Sequence, residues 1–136
     1  MRAVASACVL QKEEENMIQK VNLSEKLSQI KDYWKPRILG ELNGQEIKLV
    51  KFHGPFVWHH HDHEDELFVC ISGRFRIELR DGTVELGAGE ICIVPRGIEH
   101  RSSADEEAHV LVLEPIGTRN TGNVEDPELT AAGVPM

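Results

Sequence analysis

The chain has 136 residues, 40% of them hydrophobic and 28% charged, which is typical of one compact soluble domain with a real core. Its formal net charge of −8 argues against a nucleic-acid groove or an anionic membrane surface as partner, because either would need a basic face. No run of eighteen apolar residues is present, which predicts that no segment spans a membrane. The three cysteines, Cys8, Cys70 and Cys92, lack the spacing of a disulfide framework and indicate a reducing, cytoplasmic setting, with Cys70 and Cys92 buried.

Residues 1–16 are predicted to be an appendage without chemistry. Arg2 and the small residues at 5–8 are weak features of a secretory signal, but the apolar part is short and the charged run 12–15 follows at once. Met17 is a plausible alternative start.

Residues 17–36 are predicted to form an N-terminal helical segment, with the helix itself at about 23–34. Asn22 can cap this helix, and Glu25 three residues later completes a capping box. The pattern ends at Pro36, which cannot continue a helix. Four apolar residues recur at helical spacing along one face: Leu23, Leu27, Ile30 and Trp34.

Residues 37–116 are predicted to form an all-β domain. Turn signals such as Asn43-Gly44 and Asp81-Gly82 separate short apolar or alternating runs, whereas 53–55 is expected to break a strand. Short strands with such turns indicate an antiparallel sandwich or barrel. The predicted strands are 38–42, 47–52, 57–61, 67–71, 74–79, 84–86, 91–94 and 109–113. The polar residues 117–136 are predicted to be an extension that lies on the surface or on a partner subunit, with a mobile terminus.

The most informative run is His59-His60-His61-Asp62-His63, followed by Glu66. Imidazole and carboxylate groups are usual ligands for first-row metals, and apolar segments flank the run on both sides. Because side chains alternate along a strand, His59 and His61 share one face and His60 points away. Glu66 is the nearest candidate for a third ligand. The turn at 95–97 can aim His100 inward as a fourth.

At these residues the sequence resembles the cupins, small metal-binding β-barrels. Gly54, His59-x-His61, Glu66 and Gly73 resemble the first cupin signature, with Gly54 one residue nearer to the first histidine than usual. The second signature is matched by Gly89, Pro95, Gly97 and His100, with Ala104 where an asparagine is often found. The resemblance covers about 38–114 and implies a double-stranded β-helix, or jelly-roll, cupin barrel. It also implies that one divalent metal ion per chain (Fe, Mn, Ni or Zn) is held by His59, His61, Glu66 and His100.

Other residues of the region are interpreted more simply. His60 and His63 are expected to be exposed bystanders or outer partners of the site, and His53 and His109 to be structural. Glu64 and Asp65 are expected to form a solvated loop, although one of them could replace Glu66 as a ligand. Phe68, Phe75, Ile77, Ile91 and Ile93 are expected in the core. The candidate pocket residues are Phe52, Phe56, Phe75 and Ile77.

Two functions fit this site. A three-His, one-Glu site leaves coordination positions open, which favours a metal-dependent enzyme on a small polar organic molecule, either dioxygenase-like or isomerase-like. The alternative is a non-catalytic module that binds or senses a metal or a small ligand; a storage role is poorly supported. A homodimer is expected, since a small barrel has exposed sheet edges, with 23–34 and 38–42 as the expected contacts.

Overall fold

The structure is a computed structural model that describes residues 18–136; the predicted appendage at 1–16 and the alternative start Met17 lie outside the described residues. Within residues 18–136, one helix and eight strands follow one another. They are α1 (Leu23–Gln29), β1 (Arg37–Leu42), β2 (Gln45–Pro55), β3 (Glu66–Ser72), β4 (Arg74–Leu79), β5 (Gly82–Gly87), β6 (Ile91–Val94), β7 (His100–Pro115) and β8 (Val134–Pro135). The predicted all-β class with one short N-terminal helix is therefore confirmed.

The sixteen-residue strand β7 organises the barrel. Along one edge it pairs with β2 from Ser103 to Pro115, with one irregularity, and along the other it pairs first with β4 and then with β3. β5 and β6 extend the sheet beyond β4 and β3, and β1 lies beyond β2. All of these pairs are antiparallel, and only β8 runs parallel to its neighbour β1. The start of β7 thus lies beside β4 on one side and beside the end of β2 on the other.

The helix is shorter than predicted. Asn22 caps it by accepting a hydrogen bond from the backbone N–H of Glu25, as expected, but Ile30 takes an extended conformation and ends the helix there. Leu27 and Ile30 nevertheless pack on Leu49 of β2, so the predicted apolar face is real for this first part.

Trp34 lies beyond the helix and enters the main core with φ of 62°. Bulky residues rarely adopt this left-handed region, which costs about 1–3 kcal/mol. The Trp34 backbone N–H donates to Lys51 O and its Nε1 donates to His53 O, each at 2.9 Å. Its ring stacks on Phe52 and Phe56 with centroid distances of 4.3 and 4.7 Å. These contacts stabilise the strained conformation.

Three strand predictions need correction. The segment 57–61 is not a regular strand: one isolated bridge, His59 with His100, joins it to β7. Residues 53–55 do not end β2 but continue it through a bulge at Gly54, whose φ is 75°. β7 begins nine residues before the predicted 109–113, because the polar stretch after His100 still pairs with β4 and β2.

The outer face of the barrel also differs from expectation. Ile91 and Ile93 were expected in the core, but they are 64% and 63% exposed. Their partners across the β3–β6 pair are Val69 and Leu67, so these aliphatic side chains share an outer surface. Alternation along a strand does not say which of its faces is covered. Phe68, Phe75 and Ile77 are buried as predicted, as is Cys70, whereas Cys92 is half-buried.

The C-terminal residues pack against the barrel of their own chain. Thr121 is fully buried, Leu129 packs on the main core, and β8 pairs with the start of β1. Hydrogen bonds from Asn120 to Leu129 O and between the Thr121 and Thr130 hydroxyls fold this segment back on itself. In the described part of the chain, no helix is long and apolar enough to cross a membrane.

Candidate metal centre

Four buried side chains converge inside the barrel, from three separate parts of the chain. Glu66 opens β3 and His100 opens β7, while His59 and His61 come from the irregular segment after β2. The backbones of His59 and His100 exchange hydrogen bonds of 3.0 and 2.9 Å, and Gly97 N–H donates to His61 O. One nitrogen or oxygen from each of the four side chains lies within 4.8 Å of the others. The structure therefore brings together all four residues predicted as ligands.

Hydrogen bonds fix the orientation of two of the imidazoles. His59 Nδ1 contacts Val57 O and His100 Nδ1 contacts Ile98 O, each at 2.9 Å. A carbonyl only accepts, so each Nδ1 carries a proton, and each Nε2 is the ring nitrogen left without a backbone partner. A carbonyl bond to the second nitrogen is the usual way in which a metal-binding histidine is oriented.

The atoms at the centre of the group are unsatisfied. Glu66 Oε1 lies 3.4 Å from His61 Nε2 and 3.3 Å from His100 Nε2. None of these three atoms has a hydrogen-bonding partner among the described residues, although all are buried. Buried polar atoms normally have partners. Three imidazoles and a carboxylate oxygen are a donor set that a divalent cation would satisfy, so the residues present fit a metal ion.

The electrostatics of the group agree with this arrangement. Burial, followed by the neighbouring His100, lowers the pKa of His59 to about 4, which favours the neutral imidazole that a metal requires. Burial alone would raise the pKa of Glu66, but the facing His100 and His61 hold it well below its usual range. The site thus favours a carboxylate and a neutral His59.

Comparisons with known proteins agree with the sequence and the site. A family model described as a cupin domain matches residues 48–114. The crystal structure of a cupin-2 domain protein from Shewanella frigidimarina NCIMB 400 is 40% identical, with a TM-score of 0.69 over 70% of this chain and 93% of that one. The chain belongs to the cupin family.

Two further proteins are similar to this chain. Protein NMB1881 from Neisseria meningitidis is 28% identical and aligns with a TM-score of 0.66 over 71% of this cupin and 99% of that chain. The uncharacterized protein YdbB of Bacillus subtilis (strain 168) is 35% identical over 65 residues. That match covers 47% of this cupin and 58% of YdbB, less than two thirds of the relative's length.

The remaining acidic and histidine side chains of the region lie outside the central group of this cupin. Asp65 accepts hydrogen bonds from the backbone and the guanidinium of Arg96. Glu64 Oε1 is 3.8 Å from His61 Nδ1, on the side of the ring away from Glu66. His63 is exposed, and His60 Nε2 contacts Asp62 at 2.9 Å. Glu66 is therefore the acidic residue whose oxygen joins the imidazoles.

The C-terminal segment contacts the histidine loop, residues 59–63, a role that the sequence analysis did not predict. Asn123 N–H donates to His60 O at 3.0 Å, and His60 N–H donates to Asn123 Oδ1 at 2.9 Å. Gly122 has φ of 55°, and a Cβ there would meet His60 O at 2.2 Å and the His59 ring at 2.9 Å. Only glycine allows this approach. The turn residues at 120–123 were the available signal, but their partner could not be inferred from spacing.

A cavity of about 40 Å³ adjoins His59 and Glu66. Two of the predicted pocket residues, Phe52 and Phe56, line it, whereas Phe75 and Ile77 belong to the core and do not. The lining residues that the sequence analysis missed include Trp34, Lys48 and Glu114.

Lys48 and Glu114 form a buried ion pair of 2.8 Å, with each side chain only 2% exposed. Burial, and then the neighbouring Glu66, raises the pKa of Glu114 well above its usual range. Alternation along β2 places Lys48 on the same face as Val50 and Phe52, a signal that the sequence analysis did not use, but the identity of its partner depends on the β2–β7 register.

Proposed function

We propose that this cupin is a metal-dependent enzyme that acts on a small organic molecule at one divalent metal ion per chain. The ligands in this proposal are His59, His61, Glu66 and His100. The observation that supports it most strongly is that the ligand atoms of these four buried side chains lie within 4.8 Å of one another, with three atoms left unpartnered.

The protein residues would orient the site and keep it dry. Val57 O and Ile98 O hold the Nδ1 protons of His59 and His100, so each ring keeps its Nε2 free. The rings of Trp34, Phe52 and Phe56 would make the adjoining wall of the cavity apolar. A dry site strengthens the electrostatic interactions inside it.

The choice of metal decides the reaction. A bound ion would supply open coordination positions: iron is suited to oxygenase-like chemistry on a chelating substrate, whereas manganese, nickel or zinc is suited to the Lewis-acid chemistry of an isomerase. The general order in which protein sites bind divalent metals does not by itself select among these four.

The experiment begins with elemental analysis of protein purified without added metal. Titration with each of the four metals then gives a stoichiometry, for which we expect one ion per chain. Oxygen consumption by the iron-loaded protein with diols, thiols and keto acids tests the oxygenase reaction. A chain that binds no ion contradicts the proposal, and a chain that binds one but turns over no substrate with any metal is the binding module instead.

We further propose a homodimer, with the outer face of β6 as the contact. The segments first expected at the interface are covered in part, since Leu27 and Ile30 pack on Leu49 of the same chain and β8 pairs with Arg37 and Ile38 of β1. β6 keeps one free edge and exposes Ile91 and Ile93, and a two-fold axis would place this face against its own copy. Light scattering is expected to give twice 15.3 kDa for the native chain and the single mass for Ile91→Lys. A native mass of 15.3 kDa would contradict the dimer.

A cytoplasmic location remains part of the proposal. Both described cysteines, Cys70 and Cys92, are free thiols, which suits a reducing compartment. Cell fractionation with an antibody against the protein is expected to recover it with the cytoplasm, and recovery elsewhere would contradict this location.

A further inference from the structure

The three histidines of the candidate metal centre differ in what holds the ring nitrogen that faces away from the centre. His59 and His100 each place Nδ1 on a backbone carbonyl at 2.9 Å. The side chain of His61 is only 2% exposed, yet its Nδ1 has no hydrogen-bonding partner among the described residues. Buried polar atoms normally have partners. Within residues 18–136, His61 is therefore the proposed ligand whose ring lacks an orienting partner.

Binding of a metal ion by His61 would create a need for an acceptor at this nitrogen. His61 Nε2 lies 3.4 Å from Glu66 Oε1, so it is the nitrogen on the side of the proposed ligand group. A neutral imidazole that binds a metal through Nε2 carries its proton on Nδ1. A buried N–H group without an acceptor is unfavourable. The metal-bound form of His61 therefore requires an acceptor beside Nδ1.

Glu64 places a charged acceptor beside this nitrogen. Its Oε1 lies 3.8 Å from His61 Nδ1, and both residues belong to the segment between β2 and β3. That distance is about 1 Å longer than a charge-assisted hydrogen bond. The Glu64 side chain is 28% exposed and borders a surface pocket of about 120 Å³, which leaves room for the movement that would close the distance. Arg96 also attracts Glu64, but its guanidinium donates to Asp65.

The other polar side chains of this pocket are less suited to accept from His61. Asp62 contacts His60 Nε2 at 2.9 Å, and Asn123 Oδ1 accepts from the His60 backbone N–H at the same distance. Arg119 has no acceptor atom. His63 could accept only through a neutral imidazole, which is a weaker partner than a carboxylate.

We propose that Glu64 is a positioning residue of the metal centre, whose carboxylate accepts a hydrogen bond from His61 Nδ1 and keeps Nε2 turned towards the ion. Glu64 is not a ligand itself, because it lies on the side of the His61 ring away from Glu66. A carboxylate on the second nitrogen of a metal-binding histidine orients the ring and makes it a stronger ligand. The inference rests on the proposed function, since it requires a metal ion at the four proposed ligands.

The test measures the zinc affinity of the full chain by competition with a chromophoric chelator. Glu64→Ala is expected to lower the affinity about 10–100-fold, because the Nδ1–H group of His61 loses its acceptor. Glu64→Gln is expected to lower it only about two- to tenfold, since the amide oxygen still accepts but carries no charge. Native affinity in Glu64→Ala would overturn the inference. Equal losses in both variants would trace the effect to charge alone and would also overturn it.

Asp62→Ala is the matched control for the loss of a negative charge. Asp62 lines the same pocket, but its side chain is 66% exposed and contacts His60 instead of His61. We expect this variant to change the zinc affinity by less than about threefold. A loss as large as that of Glu64→Ala would mean that any nearby negative charge has the same effect, and would overturn the inference.

A spectroscopic measurement distinguishes the hydrogen bond from a general structural effect. In zinc-loaded protein with ¹⁵N-labelled histidine, the proton on His61 Nδ1 is expected to exchange slowly with solvent, and to exchange faster in Glu64→Ala. The Nδ1 protons of His59 and His100 should stay protected in that variant, because their carbonyl partners remain. Fast exchange at His61 in the native protein, or loss of protection at all three histidines in Glu64→Ala, would overturn the inference.

The outcome for the native chain separates this inference from the proposed function. A native chain that binds no zinc contradicts both. A native chain that binds one zinc ion, with the same affinity as Glu64→Ala, supports the proposed metal site and overturns only the role of Glu64.

Discussion

His100 and His109 lie nine residues apart on the same strand, β7, yet their surroundings are opposite. His100 is fully buried, with Nδ1 on a backbone carbonyl and Nε2 unpartnered beside Glu66. His109 is half-buried on the outer face, with Nδ1 on the Ser72 hydroxyl and Nε2 on the Glu107 carboxylate, each at 2.7 Å. A histidine whose two ring nitrogens both form hydrogen bonds within the protein has no nitrogen left for a ligand. A histidine with only one such bond, to a backbone carbonyl, has its second nitrogen available. This difference distinguishes the inner from the outer histidines.

The largest expected effect follows from removing an inner histidine. His100→Ala should lower the affinity for zinc by more than about 100-fold, since even the loss of an outer hydrogen-bonding partner of a ligand costs 10–100-fold. The measurement is competition with a chromophoric chelator. His109→Ala is the matched control on the same strand, and equal losses in the two variants would refute the distinction.

The second prediction concerns the C-terminal segment, which contacts the backbone of His60 and the ring of His59 through Gly122. Gly122→Ala should lower the free energy of unfolding by about 2 kcal/mol or more, because alanine is strained at φ of 55° and its Cβ would meet His60 O at 2.2 Å. Zinc affinity should fall with it. The measurement is urea unfolding of the metal-free protein.

Gly117→Ala provides the control for this substitution. Gly117 has φ of 84°, but a Cβ there would meet nothing within 4 Å. We therefore expect only the backbone cost of about 1 kcal/mol and unchanged zinc affinity. If both alanine variants lose zinc equally, the contact of Gly122 with the histidine loop has no role in the site.

The third prediction is a pH dependence that belongs to the inner group. The folded-state pKa of His59, about 4, is below the ordinary value of 6.5, so the unfolded chain binds more protons between these values. The unfolding free energy of the metal-free protein should therefore fall as the pH drops from about 6.5 to 4, by at most about 3 kcal/mol from this residue. The low pKa of Glu66 acts in the same direction at more acidic pH.

Denaturant unfolding at several pH values measures this slope. His59→Gln should flatten the slope of unfolding free energy against pH between pH 6.5 and 4. His109→Gln is the control, and the contribution of His59 to the slope should remain in that variant. A native protein whose stability does not change across this interval would contradict the assignment of a neutral, buried His59.

The smallest effect is expected at an outer histidine of the run itself. His60 pairs with Asp62, and its side chain is 30% exposed. His60→Ala should change zinc affinity by less than about threefold, because exposed ion pairs contribute about 1 kcal/mol or less. A loss comparable to that of His100→Ala would place His60 among the ligands.

The sequence predicted the inner group better than it predicted the backbone that carries it. His59, His61, Glu66 and His100 could be selected because their spacing resembles a known motif, and they do converge. The strand assumed for 57–61 was wrong, although its consequence, two histidines on one side, was right. The metal itself stays a prediction.

Long-range packing explains what the sequence could not predict. The first half of β7 is polar and forms a strand only because β2 and β4 supply partners on both sides. Trp34 takes a left-handed conformation against its intrinsic preference because the rings of Phe52 and Phe56 hold it. The contact between Gly122 and His60 joins residues 62 positions apart, which no local pattern encodes.

The central claim is most directly tested by a crystal structure of the zinc-loaded protein with anomalous diffraction at the zinc edge. The account predicts one peak per chain, about 2.0–2.2 Å from a nitrogen of His59, His61 and His100 and from a carboxylate oxygen of Glu66. A structure in which this position has no anomalous peak, or in which the peak lies among outer residues such as His60 and His63, would contradict it.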